Sequence, residues 1–353
     1  MKNNIEGIVV ELLEHKDYKK FQFFIKDHWK IDHIFAHDKS VFEFQHKASD
    51  YYHYMIAKKD NSLIGVHGVI PQSKFDESLP SDQIFLGLWK VLDGDSVGLG
   101  IFLYQNILKE YSPQFIGVVG YNSDILSFYV WQGFEVGIMN HHVVLSTNKT
   151  DYDIAIVPSS INYKRKDFQT VLQGRLIEEK DLNTLDSNKL YSYQIPIKSD
   201  TYLINRYMNH PVYDYDVYAI EKDRILLGLT VIRPIIQDQV VVLRLVDYIG
   251  SNDTFPLLGG FILQLLDHYE AEYLDMYSYG IPNEIIEQAG FLNRTKYDGL
   301  IIPNYFEPFE KKNVDLRYAY KSTSESQLVR LFKADGDQDR PNKLDMKICK
   351  KLL

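Results

Sequence analysis

The chain has a single cysteine, Cys349, among 353 residues. No disulfide can form within it, and a reducing, cytoplasmic setting is the expectation. Long apolar runs are missing too. No window approaches the roughly 18 uninterrupted apolar residues of a spanning helix. The opening MKNNIEGIVVELLEHKD has too short an apolar run and too many charges for a signal peptide. Positive charge is in deficit: the net charge of −9 argues against a general nucleic-acid binder. A metal-ligand cluster is lacking as well, since the cysteine has no partner. Asp335, Asp337 and Asp339 alternate as in a calcium loop, but Arg340 stands where glycine is needed and Met346 where glutamate is. No metal is expected, and the aspartates read as a hydrophilic loop or an acidic lip for hydroxyls or an ammonium.

What is present is apolar and aromatic. The chain is 45% hydrophobic, with 26 tyrosines and 19 phenylalanines, and its length suggests two domains. Periodicity predicts a strand over GIVVELLE and a helix over YKKFQFFIKDHW, with a further helix within 33–48. A hairpin follows around Lys59-Asp60-Asn61-Ser62, then the strand QIFLGLWKVL. Next come a helix from Ile101 to Tyr111, the buried strand FIGVVGY, a short helix stopped by Gly133, and a strand over FEVGIMNHHVVL. This is a mixed sheet covered by helices, an α/β (α+β) class. The second half repeats the tail of that order. It has extended runs over 201–220, RILLGLTVIR and QVVVLRLVDYIG, a helix in FPLLGGFILQLLDHY, the strand AEYLDMYSY, a helix ended by Gly290, and the strand FLNRTKYDGLII. Gly133-Phe134 and Gly290-Phe291 close equivalent helices, which points to an internal duplication. The expected division is 1–150 and 151–353.

The stretch DGDSVGLGIFL, Asp93 to Leu103, places three glycines where a strand gives way to a helix. Such backbone freedom suits either an ordinary turn or a cradle of N–H groups around an anion. Asp95-Ser-Val-Gly98-Leu-Gly100 resembles the pyrophosphate loop of the GNAT superfamily of acyl-CoA-dependent N-acyltransferases. Asn122…Phe128-Tyr129-Val-Trp-Gln-Gly133-Phe134 resembles a later pattern of the same family. The resemblance covers roughly residues 5–148 with both motifs, and rests on order and spacing in the second half. It departs at Asp95, where the family carries a basic or amide residue.

The resemblance implies two tandem GNAT-like domains, the second degenerate, and acyl-CoA as cosubstrate. Val91, Ser96, Val97, Gly98, Leu99, Gly100, Ile101, Asn122 and Phe128 would hold the cofactor, and Tyr129 would protonate the departing thiolate. The second copy has Ile286 in place of that tyrosine and no Gly-x-Gly, so it would shape an acceptor pocket without catalysing. His141 and His142 are candidate bases, with His67 behind them. Arg206, His210, Tyr213, Tyr215, Asp247, Asp337 and Arg340 are candidates for the acceptor site. The acceptor implied is an amino sugar, nucleotide-linked and destined for surface polysaccharide such as lipopolysaccharide. The open alternatives are a peptide or other small amine, including Fem-like cell-wall aminoacyl transfer, and a CoA-binding regulatory module without turnover. A monomer or homodimer is expected.

Overall fold

The computed structural model describes residues 3–5, 7–94, 98–164, 166–168, 172–182, 184–324 and 327–342. Strand β1 (Ile8–Glu14) leads into α1 (Tyr18–His28), whose Phe21, Phe24 and Ile25 recur at helical spacing and are buried. The helix expected over 33–48 is interrupted at Asp38. Its carboxylate accepts the Ser40 and Val41 N–H groups at 2.8 and 3.3 Å, ending one turn and capping α2 (Lys39–His46). Asp60 and Asn61 take φ of 48° and 64°, the left-handed pair of a two-residue hairpin, between β2 (Tyr51–Lys59) and β3 (Ser62–Pro71). Then follow β4 (Gln83–Val91), α3 (Leu99–Tyr111), β5 (Phe115–Val119) and α4 (Leu126–Trp131).

The strand expected over FEVGIMNHHVVL is in fact two, β6 (Glu135–Ile138) and β7 (Asn140–Leu145), and they enter different sheets. The break is at Met139, which is buried and donates its N–H to the Leu316 carbonyl at 2.8 Å. The second half supplies β8 (Gln173–Leu176), β9 (Asp216–Lys222), β10 (Ile225–Gln237), β11 (Val240–Gly250) and α5 (Gly259–His268). It continues with β12 (Tyr273–Tyr279), α6 (Asn283–Gln288), β13 (Leu292–Asn293), β14 (Arg317–Ser322) and β15 (Leu331–Phe332).

The first sheet runs β1-β2-β3-β4-β5-β14-β6, with Asn3–Ile5 along its β1 edge, and the second runs β13-β7-β12-β11-β10-β9-β8. Each half thus lends one strand to the other. β7 lies antiparallel between β12 and β13, and β14 lies antiparallel between β5 and β6. The sheets therefore do not part at residue 150. One apolar core serves both halves and holds Phe85, Phe115, Tyr207, Val231, Tyr318 and Leu331.

The duplication is visible in the register. Parallel pairing between the strands described spans three steps in each sheet: Gln83–Phe85 against Phe115–Gly117, and Leu243–Leu245 against Leu274–Met276. The extended run expected over 201–220 starts helically instead. The Ser199 hydroxyl caps the turn Asp200–Leu203 through the Tyr202 N–H, and a wider turn, Ile204–Met208, follows before β9. Its buried Leu203, Ile204 and Tyr207 recur at helical rather than alternating spacing. The strand expected over FLNRTKYDGLII shrinks to β13, followed by a short helical turn at Arg294–Lys296.

Candidate active site

Past Phe85 and Gly117, β4 and β5 separate. Opposite β3 the pairing steps from Val69–Leu86 to His67–Trp89, so Gly87 and Leu88 face the single residue Gly68. A bulge of this kind bends the strand and raises its twist, and it lies at the point where the sheet opens. The opening is a cleft of about 490 Å³. One wall is β4 from Leu86 to Val91 with Gly100, and the other is Val118, Val119, Gly120, Tyr121 and Asn122. Tyr129 and Ile125 close one side, Trp29 another, and Asp337, Gln338 and Arg340 arrive from the far end of the chain.

Gly98 is the N-cap of α3, with φ of 88° and no side-chain cap bond. That left-handed backbone is open to glycine at little cost. The first-turn N–H groups of the 13-residue helix lack intrahelical partners and carry about half a positive charge. Gly100 has a different reason to be glycine: a Cβ there would stand 2.9 Å from Cζ2 of Trp89. It permits close packing of α3 against Trp89 at the cleft wall. Leu99 is buried and Ile101 half-buried, and Val91 lines the cleft. Ser96 and Val97, together with Asp95, lie outside the described residues.

Asn122 borders the cleft and caps the next turn, its Oδ1 accepting the Asp124 N–H at 3.3 Å. Phe128 does not line the cleft. It packs edge-on to Trp89 and Tyr104, at 5.2 Å from each, and anchors α4. Tyr129 is 3% exposed, packed against Tyr121 and Phe134, and has no hydrogen-bond partner among the described residues. Burial, reinforced by Tyr104, Tyr121 and Asp337, raises its pKa, so the phenol keeps its proton.

The histidine candidates do not reach this cleft. His141 and His142 sit on β7, in the second sheet. His141 donates from Nε2 to the Asp275 carboxylate at 3.0 Å and stacks on Tyr277, while Asp275 is held by Arg244 at 2.7 and 2.8 Å. Arg244 and His141 hold Asp275 down to about 2 despite its burial. Burial lowers His142 to about 3. His67 is near the cleft but stacked flat on Trp89, 4.4 Å between ring centres, and burial lowers it to about 3. None of the three is placed to take a proton from a group in the cleft.

Of the acceptor candidates, only Asp337 and Arg340 line the cleft. Their groups approach to 3.5 Å, and Oδ2 of Asp337 lies 3.6 Å from where a Gly87 Cβ would be. Arg206 is core: it donates to the Ala334 carbonyl at 2.9 Å and lies over Phe75. His210 accepts the Val212 and Tyr213 N–H groups and caps a loop. Tyr215 donates to Asp339 at 2.7 Å, and Tyr213 donates to Glu307 at 2.8 Å with Arg233 over its ring. Asp247 is fully buried, taking Lys198 and the Tyr207 hydroxyl at 2.6 Å each. The aspartates of the C-terminal segment are not a hydrophilic loop. Asp335 pairs with Lys198 at 3.1 Å and Asp339 with Arg233 at 3.4 Å, both buried. Trp29, Tyr121 and Gln338 belong to the cleft without having been singled out in the sequence.

In the second sheet the equivalent opening is filled. β15 pairs with Ser278 and Tyr279 of β12, and the Ala334 N–H bonds to Val246 of β11 at 3.3 Å. Lys198, Asp247 and Asp335 occupy the space beneath. Among the described residues no helix is long and apolar enough to cross a membrane.

Comparison of the sequence with family models finds no match, and comparison with curated proteins finds none either. The fold does match solved structures. A GCN5-related N-acetyltransferase from Anabaena variabilis aligns over 90% of this chain and 73% of its own, at 13% identity and a TM-score of 0.53. N-myristoyltransferase from Saccharomyces cerevisiae with bound myristoyl-CoA aligns over 91% and 80%, at 9% identity and a TM-score of 0.46. The first of these shows that the chain has the GNAT fold, in mixed α/β sheets.

Proposed function

We propose that the chain is an acyl-CoA-dependent N-acyltransferase with one working cleft, between β4 and β5. The observation that carries the reading is the cleft itself. A sheet opening of about 490 Å³, within the roughly 300–1,000 Å³ of small-molecule sites, stands beside an uncapped helix start at left-handed Gly98. The residues fit a CoA: the first-turn N–H groups of α3 suit a pyrophosphate, and the unpaired edges of β4 and β5 suit the amides of a pantetheine arm. When bound, acyl-CoA supplies the activated acyl group.

The roles of this chain's residues follow. Tyr129 donates its proton to the sulfur as the carbon–sulfur bond breaks, and its raised pKa keeps that proton available. Asp337, against Gly87 at the bulge, receives the proton that the amine loses as its nitrogen bonds to the acyl carbon. Arg340 positions Asp337 from 3.5 Å. The second unit contributes to the site through the segment 335–342 and does not catalyse itself, a reading supported by the filled opening between β11 and β12.

For the acceptor, a primary amine is the class we propose, with a nucleotide-linked amino sugar as its finer form. Arg206, Tyr215 and Asp247, which favoured a sugar, are buried away from the cleft. The finer form therefore rests on family likeness alone. The deciding experiment reads thiol release from acyl-CoAs of graded length with amino-sugar nucleotides, simple amines and peptides. Release with one amine class supports the reading and names the acceptor. CoA binding without release from any amine would leave a regulatory module instead.

A further inference from the structure

Gln338 and Arg340 wall a second recess as well as the cleft. Arg233 of β10, Lys333 just after β15 and Asn304 line it, together with the carboxylates of Glu307 and Asp339. Its free volume of about 10 Å³ is close to that of one water. Lys333 is 3% exposed and has no ion pair or hydrogen bond among the described residues; its ammonium stands 6.0 Å from the Tyr277 ring centre. Asn304 is 2% exposed with both side-chain polar atoms unpartnered, and Nε of Arg233 and of Arg340 are unpartnered too.

The two carboxylates in its own lining are already engaged, as is that of Asp275 nearby. Asp339 holds Arg233 and the Tyr215 hydroxyl, Glu307 holds the Tyr213 hydroxyl, and Asp275 holds Arg244. Burial, with Arg244 and Arg233 close by, pushes Lys333 down to about 7. Buried donors are seldom left unpartnered in folded chains. Several around one recess point to a ligand that supplies acceptors and negative charge.

We infer that this recess takes an oxyanion, the carboxylate or phosphate of the acyl acceptor, and so selects acidic amines. The word acceptor rests on the acyltransferase reading above; the anion site rests on the recess. The volume admits a single leading oxygen of such a group, the rest lying at the mouth of the recess.

The test uses the full chain. Inorganic phosphate and acetate are titrated into wild type and Lys333→Met by calorimetry, with circular dichroism as the folding control. Wild type should bind at least one of them, and the variant about tenfold or more weaker. Asn304→Ala repeats the test if Lys333→Met does not fold. In turnover, kcat/KM is compared for glucosamine 6-phosphate against glucosamine, and for β-alanine against β-alaninamide. The pair whose acidic member is favoured identifies phosphate or carboxylate, and that preference should collapse in the variant. Absence of anion binding in wild type, or ratios near one in both pairs, overturns the inference and leaves water in the recess. CoA affinity on the same samples separates the two readings. Thiol release with neutral amines alone refutes the anion site, and phosphate binding without CoA binding refutes the acyltransferase reading while supporting the site.

Discussion

Gly98→Val tests the helix start on which the cofactor reading depends. At φ of 88° an L side chain carries about 1–2 kcal/mol of strain, and a β-branched one more. Among the described residues, chain neighbours aside, no heavy atom lies within 4 Å of the position a Cβ would take, so the penalty is conformational and not steric. Strain of that size favours a relaxed free variant whose N–H groups turn from the cleft. Pyrophosphate binding must then restore the strain, and 1–2 kcal/mol is about 5–30-fold in Kd. Gly98→Ala should fall within that range and Gly98→Val at or beyond its upper end. Gly100→Ala differs in kind, because its Cβ meets Trp89 at 2.9 Å and the loss comes through packing. Calorimetry with CoA and with pantetheine, which lacks the pyrophosphate, reads the effect, and only CoA should weaken in the Gly98 variants. Wild-type CoA affinity in Gly98→Val would show that α3 does not hold the pyrophosphate.

Tyr129→Phe should lower kcat by roughly 10²–10³-fold with little change in CoA affinity; full activity would remove Tyr129 from thiolate protonation. Burial holds His46, His67 and His142 down to about 3, so they stay neutral in the folded chain while the unfolded chain protonates near pH 6.5. Stability should therefore fall as pH drops from 6.5 towards 3, by about 1.4 kcal/mol per unit for each. Urea midpoints across pH 7 to 5 read this slope, and His67→Leu should flatten it by one histidine's share; an unchanged slope would refute the assignment. Fragments 1–150 and 151–353 should each lack a cooperative thermal transition by circular dichroism, because each carries a strand whose partners are in the other. A cooperative transition in either would show that the exchanged strands are dispensable.

Much of the fold was legible because short-range patterns report local geometry. The alternation in β2 and β3, the Asp60–Asn61 turn and the glycines before α3 each depend on a few adjacent residues. The fate of β7 depends on none of them. A period of two says which side chains share a face, not which sheet the strand joins, so His141 and His142 read as following β6 when they lie beside Asp275 and Asn283. The stretch from Tyr202 to Tyr215 misled differently. Its tyrosines resemble a strand face, but the Ser199 cap and the spacing of Leu203, Ile204 and Tyr207 are helical signals that outweigh them. Asp337 and Arg340 stood out as chemistry-bearing residues. What the sequence does not carry is the route that brings them, over 200 residues later, into the cleft that Gly87 and Val119 of the first unit line.

That route also explains why two halves with the same sheet register have unequal sites. Both sheets part after three parallel steps, so both begin with an opening. In the second, residues 329–335 run into it, with Lys198 set between the carboxylates of Asp247 and Asp335 at 2.6 and 3.1 Å. The helix start is shut as well. A short turn, Phe255–Leu258 with Pro256 near its beginning, precedes α5, and Phe255 and Leu258 are fully buried. A Cβ on Gly259 would lie 2.0 Å from the Phe168 ring and 2.6 Å from the Ala289 carbonyl, so this glycine serves packing where Gly98 serves an exposed left-handed turn. An anion at α5 would have to displace apolar core, whereas one at α3 displaces only solvent. Having closed the second opening, the same segment continues two residues to Asp337 and the first cleft. Its sequence is therefore constrained from both ends: Ala334 and Asp335 by the site they fill, Asp337 and Arg340 by the site they complete.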